Sequence, residues 1–140
     1  KNMKSLSAMM VPSAAAWIEY PGCPGFEVQL AHLTKDELMK IRDKSTTPKM
    51  NRKTRQMEDE VDSDLFQSLY IEAVIKNWRG LKLKYLNKFV VTNIGDVDPE
   101  EELEFSIENA ETFMKNAVSF DSWVSDAIED LENFTTSSSG

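Results

Sequence analysis

Between two apolar runs, Trp17 to Tyr20 and Phe26 to Leu30, the chain reads Pro21-Gly22-Cys23-Pro24-Gly25. The prolines lack the N–H that a helix or ladder uses, and the glycines reach positive φ without a Cβ penalty. A turn signal this dense sends the chain back on itself. Phe26, Val28 and Leu30 alternate with Glu27 and Gln29, the period of a strand buried on one face. The N-terminal part is therefore expected to form a β-hairpin.

Helical signals follow. Thr34 and Glu37 have the spacing of an N-cap and its N3 partner, a capping box. Leu33 and Leu38 sit where a hydrophobic staple needs them. This helix is expected to run to about Lys44 and to stop near Thr46 and Thr47, because Pro48 disfavours helix in the residue before it. Lys49 to Glu60 is polar and weakly periodic. It predicts a second, charged hairpin turning near Asn51 to Lys53, with a loop as the alternative.

A second helix is expected from Asp62, with Val61 and Phe66 as its staple. Its stripe is Leu65, Phe66, Leu69, Tyr70, Ala73, Val74 and Trp78, widened by Ile71 and Ile75 and ended by Gly80. A short helix over Tyr85, Leu86, Phe89 and Val90 comes next. Asp98-Pro99-Glu100-Glu101 has proline at the first helical position and acids in the first turn, a helix start. Further helices are predicted from Ser106, carrying Ile107, Ala110, Phe113, Met114 and Ala117, and from Ser119, with Val118 and Trp123 as staple. The last stripe is Phe120, Trp123, Val124, Ala127, Ile128, Leu131 and Phe134. The expected fold is thus α+β but mainly α: an N-terminal β-hairpin, then a compact bundle of about four helices. Residues 1–16 read as an N-terminal arm, 17–134 as one domain and 135–140 as a low-complexity tail.

The 140 residues suit one domain, and 41% hydrophobic content argues against general disorder. The net charge of −8 disfavours phosphate backbones and anionic membranes. No apolar run approaches the ~20 residues that span a bilayer. The charge is uneven. Lys35 to Arg55 holds eight basic and three acidic residues, whereas Asp96 to Gly140 holds thirteen acids against Lys115 alone. These segments can attract each other within one molecule or between copies, which allows a homo-oligomer; solvated faces are the simpler reading.

Little here can do chemistry. Cys23 is the one cysteine, so no internal disulfide forms, and that suits a reducing cytoplasm. Cys23 and His32 do not make a zinc site, and nothing supplies the third group or oxyanion hole of a cysteine hydrolase. The acids from Asp96 to Glu104 lack the glycine at the sixth position that a calcium loop requires. No phosphate-binding loop occurs. The basic run Lys49 to Arg55 is short, has no aromatic residue and is followed by five acids within Glu58 to Asp64, so nucleic acid is not the expected partner. No enzyme activity, metal or cofactor is expected. Two surfaces remain as candidates for binding another protein: the basic segment, with Lys49, Arg52, Lys53 and Arg55, and the C-terminal stripe, with Ile128, Leu131 and Phe134.

In order along the chain, Trp-Ile-Glu-Tyr-Pro (17–21), Gly-Phe-Glu-Val (25–28), Leu-Thr-Lys-Asp-Glu-Leu-Met-Lys-Ile-Arg (33–42), Asn-Arg-Lys-Thr-Arg-Gln (51–56), Ala-Val-Ile-Lys-Asn-Trp-Arg-Gly-Leu (73–81) and Phe-Asp-Ser-Trp-Val (120–124) resemble the tail assembly chaperones of long-tailed bacteriophages. The resemblance implies a non-catalytic morphogenesis factor. It would bind the phage tape-measure protein and assist polymerisation of the tail-tube protein, in the cytoplasm of the infected host and outside the mature virion. Two other classes stay open: a small virion protein of the head–tail or tail region, and an acidic regulator that binds a host protein.

Overall fold

The computed structural model describes residues 5–9, 14–93, 95–130 and 132–135. In chain order they form α1 (Leu6–Met9), β1 (Ala15–Glu19), β2 (Glu27–Ala31), α2 (Lys35–Ser45), β3 (Thr46–Asn51), β4 (Gln56–Val61), α3 (Ser63–Val74), β5 (Ile75–Arg79), a 3-10 helix (Leu83–Lys88), α4 (Ile107–Asn116), α5 (Val118–Glu129) and α6 (Glu132–Thr135). The proposed arm therefore contains α1 and the start of β1, and α6 takes in Thr135. The rest of the predicted tail, 136–140, lies outside the described residues.

The Pro-Gly turn makes the expected hairpin, with Ile18 opposite Val28 and Glu19 opposite Glu27. β2 becomes the centre of a three-stranded antiparallel sheet in the order β1-β2-β5. Phe26, Val28 and Leu30 are fully buried, and each contributes about 2 kcal/mol of apolar burial. α2 starts as its sequence demands: Thr34 Oγ1 accepts from the Glu37 N–H at 3.1 Å, and the Glu37 carboxylate accepts from the Thr34 N–H at 3.0 Å. α3 is capped by Asp62, whose carboxylate accepts from the N–H groups of Asp64 and Leu65. Both caps satisfy donors that a helix start leaves unpaired.

α4 and α5 pack their apolar stripes over the sheet. Phe120 stacks on Phe113 at 4.2 Å between ring centroids and on Phe26 at 6.2 Å. Phe89 meets Phe113 edge-on at 4.9 Å. Trp78 adds a hydrogen bond, its indole N–H donating to the Leu103 carbonyl at 2.9 Å.

The protein is not the mainly α bundle that the stripes suggest. The helix expected from Asp62 to Gly80 ends at Val74, and Ile75–Arg79 is a strand that pairs with β2. The cause is a bulge. Leu30 pairs with Ile75 and Gln29 with Asn77, so Lys76 is an extra residue in β5. The bulge lets Ile75 and Trp78, three apart, both point inward, which copies the spacing of a helix. Tertiary pairing wins because β2 would otherwise present an open edge.

The helix expected at Asp98 is also absent. Lys82 and Glu102 form an antiparallel bridge, the Leu83 N–H donates to the Glu101 carbonyl, and Lys84 and Lys82 hold Glu100. These long-range partners take the groups that a first helical turn would use. Finally, Val118 is exposed and is the first residue of α5, so it is no staple for Trp123. The result is an α+β fold with two small sheets, its core lying between the three-stranded sheet and the helices.

Candidate protein-binding surface

The charged hairpin forms, and it stands away from the body. Among the described residues β3 and β4 pair only with each other, from Thr46 opposite Val61 at the root to Asn51 opposite Gln56 at the tip. Thr46, Asn51 and Val61 are half-buried, and every other strand residue is exposed. Met50 and Met57 face each other across the pair, 58% and 61% exposed. A two-stranded ribbon with no covered face is marginal on its own, so local devices hold it. The Asn51 side-chain oxygen accepts from the N–H groups of Lys53 and Thr54, and Lys49 Nζ lies 3.2 Å from Glu60.

The hairpin gathers the predicted basic residues at one end. Lys49 is engaged with Glu60, whereas Arg52, Lys53 and Arg55 lie in the turn or at its edge with no carboxylate partner among the described residues. Arg55 has φ 58°, a left-handed conformation that glycine adopts without strain. The C-terminal stripe is placed differently. Ile128 is buried in the core, and its carbonyl lies 2.7 Å from His32 Nδ1. A carbonyl only accepts, so that nitrogen carries the proton. Phe134 is half-buried, packed on the core with its ring 5.6 Å from His32. Leu131 lies outside the described residues.

At the root of the hairpin, α2 and α3 leave an open groove of about 490 Å³. Its apolar wall comes from Leu38, Met39, Val61 and Phe66, with Lys35 and Arg42 also lining it. Leu38 and Met39 are both exposed. The sequence signal for this groove is the pair Leu38-Met39. Two adjacent apolar residues on α2 point about 100° apart, so a core contact made by its buried Ile41 could not cover both. A second cleft, of about 560 Å³, lies between the 3-10 helix and α4, lined by Leu86, Phe89, Val90, Val91, Leu103 and Phe113 among others.

The groups tested for chemistry are placed as follows. Cys23 is buried inside the turn, and burial pushes its thiol above the ordinary value, away from the reactive thiolate. Burial also raises the Tyr70 phenol, against a hydrogen bond from Ser125 that lowers it. Among the described residues no three of His, Cys, Asp or Glu are grouped to hold a metal ion. Among the described residues no helix is long and apolar enough to cross a membrane.

A family model described as YdaY prophage protein matches residues 34–139. No curated protein and no solved structure matches the chain. The family match corrects the resemblance to tail assembly chaperones, because the motifs that carried it fall largely within a prophage protein family that is not evidently one of those chaperones.

Proposed function

The chain belongs to the YdaY prophage protein family, and from that premise we propose that it is a phage-associated, non-catalytic protein that works by binding another protein through the α2–α3 groove. The observation that carries this reading is the exposure of Leu38 and Met39 beside Val61 and Phe66 in one groove, with Lys35 and Arg42 beside them. Apolar side chains left in water on a folded domain mark a contact surface when they are contiguous. An amphipathic helix with acidic flanks suits such a groove: its apolar residues cover the wall and its acids meet the two cations. The binding takes place in the host cytoplasm, without entry into the finished particle.

Co-expression of the tagged chain with each product of its own prophage, tape-measure and tail-tube proteins included, tests the reading. A partner that co-purifies stoichiometrically, and is lost with L38E/M39E while the fold survives by circular dichroism, supports it. Capture that is indifferent to those substitutions removes the groove. Stoichiometric presence of the chain in purified particles by mass spectrometry would make it a virion component instead.

A further inference from the structure

Two surfaces away from the groove match each other: the outer part of the β3–β4 hairpin, and the cleft between the 3-10 helix and α4. We propose that this chain associates head to tail, the hairpin of one copy seating in that cleft of the next. The hairpin offers two apolar side chains, Met50 and Met57, side by side on one face. Methionine is flexible and fills irregular apolar gaps. The cleft offers an apolar lining that ends at fully exposed Val91.

The charges match as well. Arg52, Lys53 and Arg55, at the hairpin's end, have no carboxylate partner among the described residues. Two residues of the cleft, Leu103 and Asn109, each neighbour an exposed glutamate in the chain, Glu104 and Glu108. The Asn109 amide donates to the Glu104 carbonyl at 3.0 Å, which fixes that acid's backbone beside the cleft. Of the cations adjoining cleft residues in the chain, Lys88 keeps its charge but is directed to the Gly22 carbonyl, and Lys115 lies 3.9 Å from Glu111. The strain at Arg55 fits the same use: glycine would sit there freely, yet the position carries a cation.

A symmetric hairpin-to-hairpin pairing is disfavoured. Pro48 withholds an N–H from β3, and Glu58, Asp59 and Glu60 would repel each other if two β4 edges met. Hairpin and cleft are different surfaces, so the contact is heterologous and repeats into a ring or an open filament. The groove plays no part in it, so self-association and partner capture fail independently.

Sedimentation of the full chain from low-micromolar to millimolar concentration tests the proposal. The wild type should gain mass with concentration and lose it as salt rises. R52E/K53E/R55E and V91K/E108K, changed only at exposed positions, should each be monomeric with an unaltered circular dichroism spectrum. Mixed together they should associate again, because each partner supplies the surface that the other lacks. A wild type that stays monomeric throughout overturns the proposal. So do variants that assemble as the wild type does, or a mixture that stays monomeric.

Discussion

Gly80 and Gly25 lie so close that a Cβ on Gly80 would stand 2.0 Å from the Gly25 carbonyl oxygen. The contact presses the end of β5 onto the turn of the N-terminal hairpin. Gly80 also has φ +74°, where an L side chain is strained. Gly80→Ala therefore meets a backbone clash and a conformational cost together. It should destabilise the protein by about 3 kcal/mol, read as a lowered midpoint in urea. Gly22→Ala is the control: its φ of +89° is strained too, but no atom lies within 4 Å of the added Cβ. Its loss should be smaller, and an equal loss would discount the contact.

Phe120 is fully buried and stacks on both Phe113 and Phe26, so it joins α5, α4 and the sheet. Phe120→Ala removes the shared ring and leaves a cavity that three elements cannot close together. About 4 kcal/mol should be lost in chemical denaturation. Met50→Ser with Met57→Ser should change stability by no more than about 0.5 kcal/mol, since both side chains are exposed.

Most local signals were legible where the partner lies close in the chain, the Val118 staple excepted. Thr34 with Glu37, Asp62, Ser106 and the Pro-Gly turn all do what their spacing says. The charged hairpin was legible too, although with a loop as its rival. β5 was not, because its bulge at Lys76 sets Ile75 and Trp78 three apart, and periodicity alone then reads helix. The turn at Asp98 was missed for a related reason: Glu100, Glu101 and Glu102 are held by Lys82, Leu83, Lys84 and Gly80, which lie some twenty residues away. In the candidate surface, Arg52, Lys53 and Arg55 were visible as charge. The groove was not, since Leu38 reads as the staple partner of Leu33 and Met39 has no role in the sequence pattern, and only the packing shows that both stay uncovered. Ile128 was read as a contact residue because a terminal stripe looks the same whether it faces a partner or its own sheet.

Arg55 sits at φ 58° on the far side of the turn from Asn51, whose carbonyl accepts the Arg55 N–H at 2.7 Å. Arg55→Gly relieves a strain of about 1 kcal/mol but adds freedom to the unfolded chain that offsets much of it. Thermal stability should therefore hold or rise slightly. If the cation serves self-association, the same substitution should weaken that association. A fall in thermal midpoint would show that Arg55 supports the hairpin instead.

Glu100 receives Lys84 Nζ at 2.6 Å and Lys82 Nζ at 2.9 Å. The hydrogen bond from Lys84, then that from Lys82, holds its carboxyl well below the 4.5 of a free glutamate, at about 2. The same pairing raises Lys82. A carboxyl depressed on folding contributes stability that is fully present above the unfolded value. That contribution is lost as pH falls from about 4.5 towards 2. The Glu100 side-chain carbon signal, followed by NMR through acid, should therefore titrate near 2, well below an ordinary glutamate. Over that range the Leu83 amide, which donates to the Glu101 carbonyl at 2.8 Å, should lose protection from hydrogen exchange. Glu100→Gln should show the weaker protection already at neutral pH and lose little more on acidification. A Glu100 midpoint at the ordinary value would mean that both lysines are solvated instead, and that the backbone bridge from Lys82 to Glu102 holds this loop without them.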